Sequence, residues 1–393
     1  MPKHEKRLLV LGIIFIACTL RAPLTSVGPL IDNIRSDLGI SNGLAGFLTT
    51  LPLLIIAVLS PISSKIGNRV GEERTIFSGF ILLLIGTLLR SSGGSATLLA
   101  GTVLVGMGIA MGNVLTPGMI KRKFPQNIGL LTSTFSTTMS LTAAFASGVS
   151  VPLSDKLGLG WRNSLMVWGL FAVIAILFWI PQLKKCEKPG GVLKADAGVP
   201  GAKSVWGSSL AWNVALFMGM QSLLFFSLVT WFPEILHSRG FSTETGGWLL
   251  FLFQVVSLPT AFIAPIVAVR LKDQRGIAAA AALVYFAGLF GLLVSKGIIA
   301  LIISVVFMGI AAGACFSLAF TFMGLRCCNN KQAAELSGMS QSAGYLLAAA
   351  GPVLIGVLSD YTKTWTSSIV LLLIAALLLL YFGFRAGQNK HIV

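Results

Sequence analysis

Residues 297–325 form a long run without a charged side chain, GIIALIISVVFMGIAAGACFSLAFTFMGL. A helix needs about 20 mainly apolar residues to cross the hydrocarbon core of a bilayer, so this run is long enough to span a membrane. Strands of a membrane β-barrel alternate in polarity over about 10 residues. The similar run at residues 371–381, LLLIAALLLLY, shows no such alternation. Both runs therefore predict membrane-spanning helices.

The whole chain contains twelve apolar segments of this kind. They lie at residues 8–31, 43–64, 75–92, 96–120, 127–150, 161–181, 208–233, 246–269, 276–295, 297–325, 335–358 and 366–384. The first segment resembles a secretion signal, but Arg21 interrupts it and no small-residue cleavage site follows, so we expect a retained helix. The sequence predicts an all-α polytopic membrane protein with twelve transmembrane helices.

The composition of the 393-residue chain supports this fold class. Hydrophobic residues make up 55% and charged residues 11%, whereas a soluble domain has roughly 25% charged residues. The net charge of +16 would ordinarily suggest a nucleic-acid partner. A soluble fold has no interior for so many apolar side chains, so we exclude a nucleic-acid binder and a cytosolic enzyme. The lipid bilayer is the expected partner.

The basic residues lie mostly on one side of the twelve segments. With the N-terminus in the cytoplasm, 21 Lys and Arg residues are inside and 7, Arg90 among them, are outside. Cytoplasmic loops carry an excess of Lys and Arg. The distribution predicts a multi-pass protein of the inner (cytoplasmic) membrane with both termini in the cytoplasm.

Three short strings recur in the same order, at a nearly constant offset, in the two halves of the chain. They are Met107–Gly112 with Met308–Gly313, Pro61-Ile62 with Pro265-Ile266, and Leu153–Asp155 with Leu358–Asp360. Such repeats are typical of transporters built from two bundles that move about a central site. We expect six-helix bundles at residues 1–182 and 206–393, joined by a flexible cytoplasmic linker at 183–205.

Several longer strings resemble a known family. They are Arg21–Pro29 (RAPLTSVGP), Gly112–Pro117 (GNVLTP), Ile120–Arg122, Phe124-Pro125, Met218–Ser222 (MGMQS), Arg270–Arg275 (RLKDQR) and Leu336–Tyr345 (LSGMSQSAGY). On these residues the chain resembles, over its whole length, a major facilitator superfamily transporter, and within it the bacterial cyanate and 2-nitroimidazole transporter group. The resemblance implies two pseudo-symmetric six-helix bundles around a central cavity, and we expect a monomer.

The function that the resemblance implies is secondary active transport. The solute would be small and either anionic or neutral and polar, cyanate-like or nitroheteroaromatic, and it would cross by alternating access. The alternative is a broad-specificity drug exporter of the same fold, although exporters of cationic drugs usually need an acidic residue within the membrane. A channel and an intramembrane enzyme are weaker alternatives. No His, Asp or Glu pair lies within the segments and no phosphate-binding loop is present, so we expect no enzyme, metal or cofactor.

The superfamily has an Asp-Arg-x-Gly core in the loop between its second and third helices. The corresponding residues here are Asn68-Arg69-Val70-Gly71, followed by Glu72, Glu73 and Arg74. We expect a gating loop formed by Asn68, Arg69, Gly71 and Arg74. Because the aspartate is missing, either Glu72 or Glu73 substitutes for it or the latch is weaker.

Arg21 is the one ionisable residue that the sequence places deep within a segment. A mid-membrane arginine costs roughly 2.5–3.5 kcal/mol on insertion scales, and such residues mark functional sites by default. A guanidinium can bind an anion through two hydrogen bonds. The structural alternative is that Arg21 reaches an interface or caps carbonyls. If transport is coupled to protons, either the proton travels with the substrate or a group at a segment end, such as Asp32, carries it.

Uncharged polar and aromatic residues recur at helical spacing in the segments that line the superfamily's cavity. The alternative for each is an interhelical hydrogen bond, worth about 0.6 kcal/mol on average. Amides and hydroxyls orient a polar ligand, and aromatic rings stack on a flat one. With Arg21, the candidate substrate-binding residues are Thr25, Asn113, Gln221, Ser222, Phe225, Gln254, Gln341 and Tyr345.

Overall fold

The computed structural model describes residues 3–40, 42–183, 205–295 and 297–392. Within these ranges the chain forms fourteen α-helices, a few 3-10 or π-helical turns and no strand. The helices are α1 (Lys3–Thr25), α2 (Ile31–Leu38), α3 (Asn42–Val70), α4 (Glu72–Ser91), α5 (Ser95–Lys123), α6 (Ile128–Val151), α7 (Gly160–Val167), α8 (Gly169–Leu183), α9 (Ser209–His237), α10 (Thr243–Arg270), α11 (Arg275–Val294), α12 (Ile298–Leu325), α13 (Asn330–Thr362) and α14 (Trp365–Ala386). The all-α prediction is confirmed.

Eleven helical segments of the described residues are long and apolar enough to cross a membrane. The predicted fifth segment coincides with α6, which has 24 residues but is not among the eleven. Ten of those residues are Ser or Thr and none is charged. Several of their hydroxyls donate to backbone carbonyls, as the Ser150 Oγ does to the Ala146 oxygen at 2.6 Å. The buried hydroxyls of Ser133 and Thr137 have no partner in the described chain. A hydroxyl bonded in this way to a carbonyl needs no water, so the Ser and Thr content of α6 is compatible with a membrane.

The chain forms two compact units. The first comprises the described residues of Met1–Lys123, Thr138–Gly201 and Asn329–Gly338, and the second those of Phe124–Thr137, Ala202–Cys328 and Met339–Val393. The predicted linker at 183–205 lies, apart from its first and last residue, outside the described residues. The bundles at 1–182 and 206–393 therefore stay a prediction.

Glycines bring helices close together within each unit. In the first unit, a Cβ built on Gly86 of α4 would lie 2.7 Å from the Gly101 carbonyl oxygen of α5. In the second, a Cβ on Gly313 of α12 would collide with the Ser257 carbonyl oxygen of α10 and lie 2.6 Å from the Thr260 Oγ1. Small residues allow such close approach of membrane helices. The two glycines therefore let α4 pack closely on α5 and α12 pack closely on α10.

The residues that follow α1 belong to an apolar cluster of the first unit. α1 contains Pro23 and ends at Thr25, and a 3-10 turn at Gly28–Leu30 leads into α2. Residues from this region, α3, α5 and α7 form one apolar cluster. Its buried members are Val27, Leu30, Ile34, Leu48, Leu98, Trp161 and Leu165. Arg21 therefore lies one turn before a helix end that packing holds in place.

Arg326 anchors the C-terminal residues of the second unit. It is buried just after α12, and its Nε donates to the Ala386 carbonyl oxygen at 2.9 Å. Its Nη2 donates to the Gly387 oxygen at 3.2 Å and to the Gln274 side-chain oxygen. The Ile392 amide donates to the Arg326 oxygen at 2.8 Å. Burial lowers the pKa of Arg326 to about 10. Its hydrogen bonds to backbone carbonyls replace part of the water that would otherwise solvate the charge.

Candidate substrate site

Arg21 lies within α1 of the first unit, with 8% of its surface exposed. Thr25, one turn later, has its Oγ1 at 3.1 Å from the Arg21 carbonyl oxygen and 3.2 Å from the Ala143 oxygen of α6. The Ser147 Oγ donates to the Thr25 carbonyl at 3.3 Å. The Thr25 hydroxyl therefore links α1 to α6 through an interhelical hydrogen bond. This is the structural alternative to substrate binding.

Asn113 lies on α5 and is fully buried in the first unit. The Ser337 Oγ at the start of α13 donates to the Asn113 carbonyl oxygen at 3.4 Å. Gly118, further along α5, also approaches α13, because a Cβ on it would lie 3.5 Å from the Asn330 oxygen. Asn113 is thus in the part of α5 that packs on the beginning of α13.

Gln221, Ser222 and Phe225 lie on α9 of the second unit. The Gln221 Nε2 donates to the Ser222 Oγ at 2.8 Å, and both residues are buried. The partly buried Phe225 ring has its centroid 5.9 Å from that of Phe253 on α10. Gln254, the next residue, is also only partly buried. These candidates therefore lie on two neighbouring helices.

Gln341 and Tyr345 lie one turn apart on α13 and are buried in the second unit. Gln341 is 0% exposed, and neither its Oε1 nor its Nε2 has a hydrogen-bond partner among the described residues. One turn on, a Cβ on Gly344 would lie 2.9 Å from the Met218 Cγ of α9. A buried amide without partners costs about 1–3 kcal/mol. Gln341 therefore lowers the stability of the folded protein at a tightly packed position.

The comparisons with known proteins are consistent with this all-helical membrane fold. The family profile of the Major Facilitator Superfamily matches residues 10–352. The chain belongs to this superfamily. It is a multi-pass membrane transporter, and the transporter fold implies a small-molecule substrate.

Relatives of this superfamily member are named as transporters. The chain is 49% identical to the uncharacterized transporter YycB of Bacillus subtilis, covering 99% of this chain and 96% of the relative. It is 39% identical to the 2-nitroimidazole transporter of Escherichia coli, covering 98% and 96%. It is 25% identical to the cyanate transport protein CynX of Escherichia coli, covering 91% and 92%. The resemblance seen in the sequence is confirmed.

A solved superfamily structure shows the same fold. The proton:xylose symporter XylE bound to 6-bromo-6-deoxy-D-glucose superimposes with a TM-score of 0.82, covering 100% of this chain and 98% of that one. The sequence identity is 14%, so this likeness concerns the fold alone.

The superfamily's loop between the second and third helices differs here from its expected charge pairing. Gly71 precedes α4 with φ 105°, a conformation that favours glycine, and the Arg69 and Arg74 side chains are exposed. Glu72 and Glu73 are instead buried in the first turn of α4, although the sequence placed them outside the segments.

The partners of these two carboxylates come from the end of α5. The Arg122 Nη2 lies 3.1 Å from the Glu72 Oε2 and also pairs with the Glu73 Oε1, which is 3.4 Å from the Lys123 Nζ. Asn68, Arg69 and Arg74 form no ion pair within the described ranges. The loop's charge pairing therefore runs through Glu72, Glu73 and Arg122.

Arg90 is a second buried arginine, which the sequence analysis assigned to an outside segment. Arg90 lies in the last turn of α4 and is 1% exposed, and its location on the outer side of the membrane stays a prediction. Its Nη1 donates to the Pro23 carbonyl oxygen of α1 at 2.6 Å. The position of Arg90 within the predicted segment 75–92 could have indicated its burial. The sequence could not show its partner, because Pro23 is 67 residues away. Arg21 is therefore not the only buried arginine of the first unit.

Proposed function

We propose that this superfamily transporter moves a small anion or a small planar polar molecule, cyanate-like or nitroheteroaromatic, across the cytoplasmic membrane by alternating access. The observation that carries the proposal is Arg21, a buried arginine within the first membrane helix. Two relatives that match nearly the whole chain are named for 2-nitroimidazole and cyanate. Both names denote small solutes with polar atoms that an arginine can bind.

The energetics of Arg21 favour an anionic or strongly polar ligand. Insertion scales give a cost of roughly 2.5–3.5 kcal/mol for arginine at the centre of a membrane helix. An opposite charge at 4 Å contributes about 4 kcal/mol at an effective dielectric near 20. A bound anion therefore offsets the cost of burying Arg21. The planar guanidinium can hold a planar ligand through two nitrogens and a linear one through a single nitrogen.

The second unit, taken by itself, also contains buried groups that suit a small planar polar ligand. Gln341 has two buried amide atoms with no partner in the described chain. Gln221 has a buried amide whose Nε2 donates to the neighbouring Ser222 hydroxyl and to the Met218 sulfur one turn away. Phe225 and Tyr345 offer aromatic rings for a flat heterocycle. We assign ligand orientation to Gln341 and Gln221 and stacking to Phe225 or Tyr345. We assign Thr25 to helix packing.

The excess of basic residues supports a location in the cytoplasmic membrane with both termini in the cytoplasm. We infer that the functional unit is a monomer with six-helix bundles at residues 1–182 and 206–393, since the internal repeat lies within one chain.

A ligand screen on the purified protein tests the proposed function. The apparent melting temperature is measured with small anions, flat nitroheterocycles and lipophilic cations, because a ligand that binds only the folded state raises it. We expect nitrate, cyanate, benzoate or 2-nitroimidazole to stabilise the protein, and uptake of the best ligand into proteoliposomes to follow. Stabilisation by lipophilic cations alone would favour the drug exporter and contradict the proposal.

A further inference from the structure

Arg90 joins the end of α4 to the end of α1. The Pro23 oxygen, which accepts its Nη1 hydrogen bond, is among the last four carbonyls of α1, and such carbonyls have no partner within their own helix. One of the five donor hydrogens of Arg90 is therefore used to cap α1. The rise of about 1.5 Å per residue puts Pro23 only about 3 Å along the axis from Arg21.

The remaining edge of Arg90 has no acceptor. Its Nε and Nη2 are both buried, and neither has a hydrogen-bond partner in the described part of the chain. These two nitrogens point their hydrogens in parallel from the same edge of the guanidinium, which is the edge that binds two oxygens of one planar group. No described carboxylate forms an ion pair with Arg90. The edge is therefore a complete donor fork without a protein acceptor.

Two hydroxyls in the same region also lack partners. Ser26, three residues after Pro23, and Thr87, three residues before Arg90 on α4, are both buried, and neither hydroxyl bonds to any described group. The segments that carry them both pack at the start of α8. Ala22, one turn before Ser26, packs in a cluster with Trp168. A Cβ on Gly169 would lie 3.4 Å from the Thr87 Cγ2.

The four atoms have one chemical property in common, which is that each can donate a hydrogen bond. Buried polar groups are normally satisfied, and an unpaired buried charge is costly. Two N–H donors of a charged fork, with one hydroxyl about a turn away in the chain from each of Arg90 and Pro23, suit an anion or a nitro group. An ordered water satisfies some of the donors but leaves the charge uncompensated.

We propose that the Nε and Nη2 of Arg90, with the hydroxyls of Ser26 and Thr87, form a second binding subsite for the paired oxygens of a small planar anion or nitro group. The inference rests on the proposed function, because it takes the same class of substrate as Arg21. Each atom has less than 1 Å² exposed. Occupation therefore requires the end of α1 to move away from α4, which breaks the bond between Arg90 and Pro23.

The test compares a planar anion with a linear one on the full-length protein in detergent. Dissociation constants for nitrate and thiocyanate are measured by titration calorimetry for the wild type and for Arg90→Lys, which keeps the charge but loses the fork. We expect Arg90→Lys to weaken nitrate binding about 10- to 100-fold, since hydrogen bonds to charged groups contribute about 1.5–3 kcal/mol. The factor by which Arg90→Lys weakens thiocyanate binding should be at least about tenfold smaller than the factor for nitrate. The reason is that a linear anion does not use both nitrogens of the fork.

Further variants keep the test decisive if Arg90→Lys does not fold. Thr87→Val and Ser26→Ala each remove one donor, and each is expected to weaken nitrate binding about fivefold. Arg162→Gln is the matched control, because Arg162 is partly exposed and pairs with Asp37 at 2.7 Å. That control is expected to bind nitrate as the wild type does.

The outcomes separate this subsite from the proposed function. If Arg90→Lys weakens both anions equally, or if the three variants bind nitrate normally, Arg90 is structural and the subsite is wrong, while anion binding by the wild type still supports the proposed function. If the wild type binds none of nitrate, thiocyanate and 2-nitroimidazole, both the subsite and the proposed function are overturned.

Discussion

Arg122 and Glu72 form a largely buried ion pair at 3.1 Å between the end of α5 and the start of α4. The two side chains are 16% and 8% exposed, so solvent screens their interaction weakly. The same guanidinium pairs with Glu73, whose carbonyl oxygen accepts a hydrogen bond from the Trp179 Nε1 at 2.9 Å. This cluster therefore ties α4, α5 and α8 together at one end of the first unit.

Replacing Arg122 by Gln is expected to destabilise the protein strongly, because two buried carboxylates lose their main partner. Breaking a buried pair costs roughly 3–5 kcal/mol. The apparent melting temperature in detergent should fall by several degrees, and Glu73→Gln should lower it more than Glu72→Gln, since Glu73 also contacts Lys123. Arg74→Gln is the control, because Arg74 is exposed in the same loop. Equal melting temperatures for Arg122→Gln and Arg74→Gln would refute this account.

Replacing Gln341 by Leu is expected to separate stability from transport. Leucine has a similar size and removes two buried amide atoms that have no partner within the described residues, so the melting temperature should stay the same or rise. Transport of the best ligand should nevertheless weaken about tenfold or more if the amide orients the substrate. Normal transport by a stable Gln341→Leu protein would remove Gln341 from the site.

Replacing Gly313 by Ala is expected to prevent normal folding. The added methyl group would collide with the backbone oxygen of Ser257, which cannot rotate away as a side chain can. Overpacking typically costs about 1–3 kcal/mol and can cost more, and here the atom that is hit belongs to the backbone. Gly276→Ala in α11 is the matched control, because a Cβ there meets nothing within 4 Å. The yield of monodisperse protein measures the effect, and equal yields of the two variants would contradict the close approach of α10 and α12.

The helices could be predicted from the sequence because membrane insertion depends on about 20 consecutive apolar residues, which one chain shows directly. The helix α6 departs from this pattern, because ten of its 24 residues are Ser or Thr. The superfamily could also be inferred, because strings such as Arg21–Pro29 are local in the sequence.

The roles of individual polar residues could not be predicted, because they depend on distant partners. Thr25 is close to Ala143, which is 118 residues away, and Arg90 is buried by a carbonyl 67 residues away. The missing aspartate in the loop after α3 pointed to Glu72 or Glu73, but only the position of Arg122 showed that both are paired. Burial of Gln341 without partners was equally invisible, since its spacing to Tyr345 fits packing and binding alike.

Arg21 carries the central claim, and the most direct test is the affinity of the best small ligand for Arg21 variants in proteoliposomes. The concentration dependence of uptake is compared for the wild type, Arg21→Lys, Arg21→Gln and Lys272→Gln, an exposed residue that controls for net charge. We predict that Arg21→Gln raises the apparent KM about 10- to 100-fold and Arg21→Lys less, while Lys272→Gln leaves it unchanged. An unchanged KM in folded Arg21→Gln protein would contradict the account.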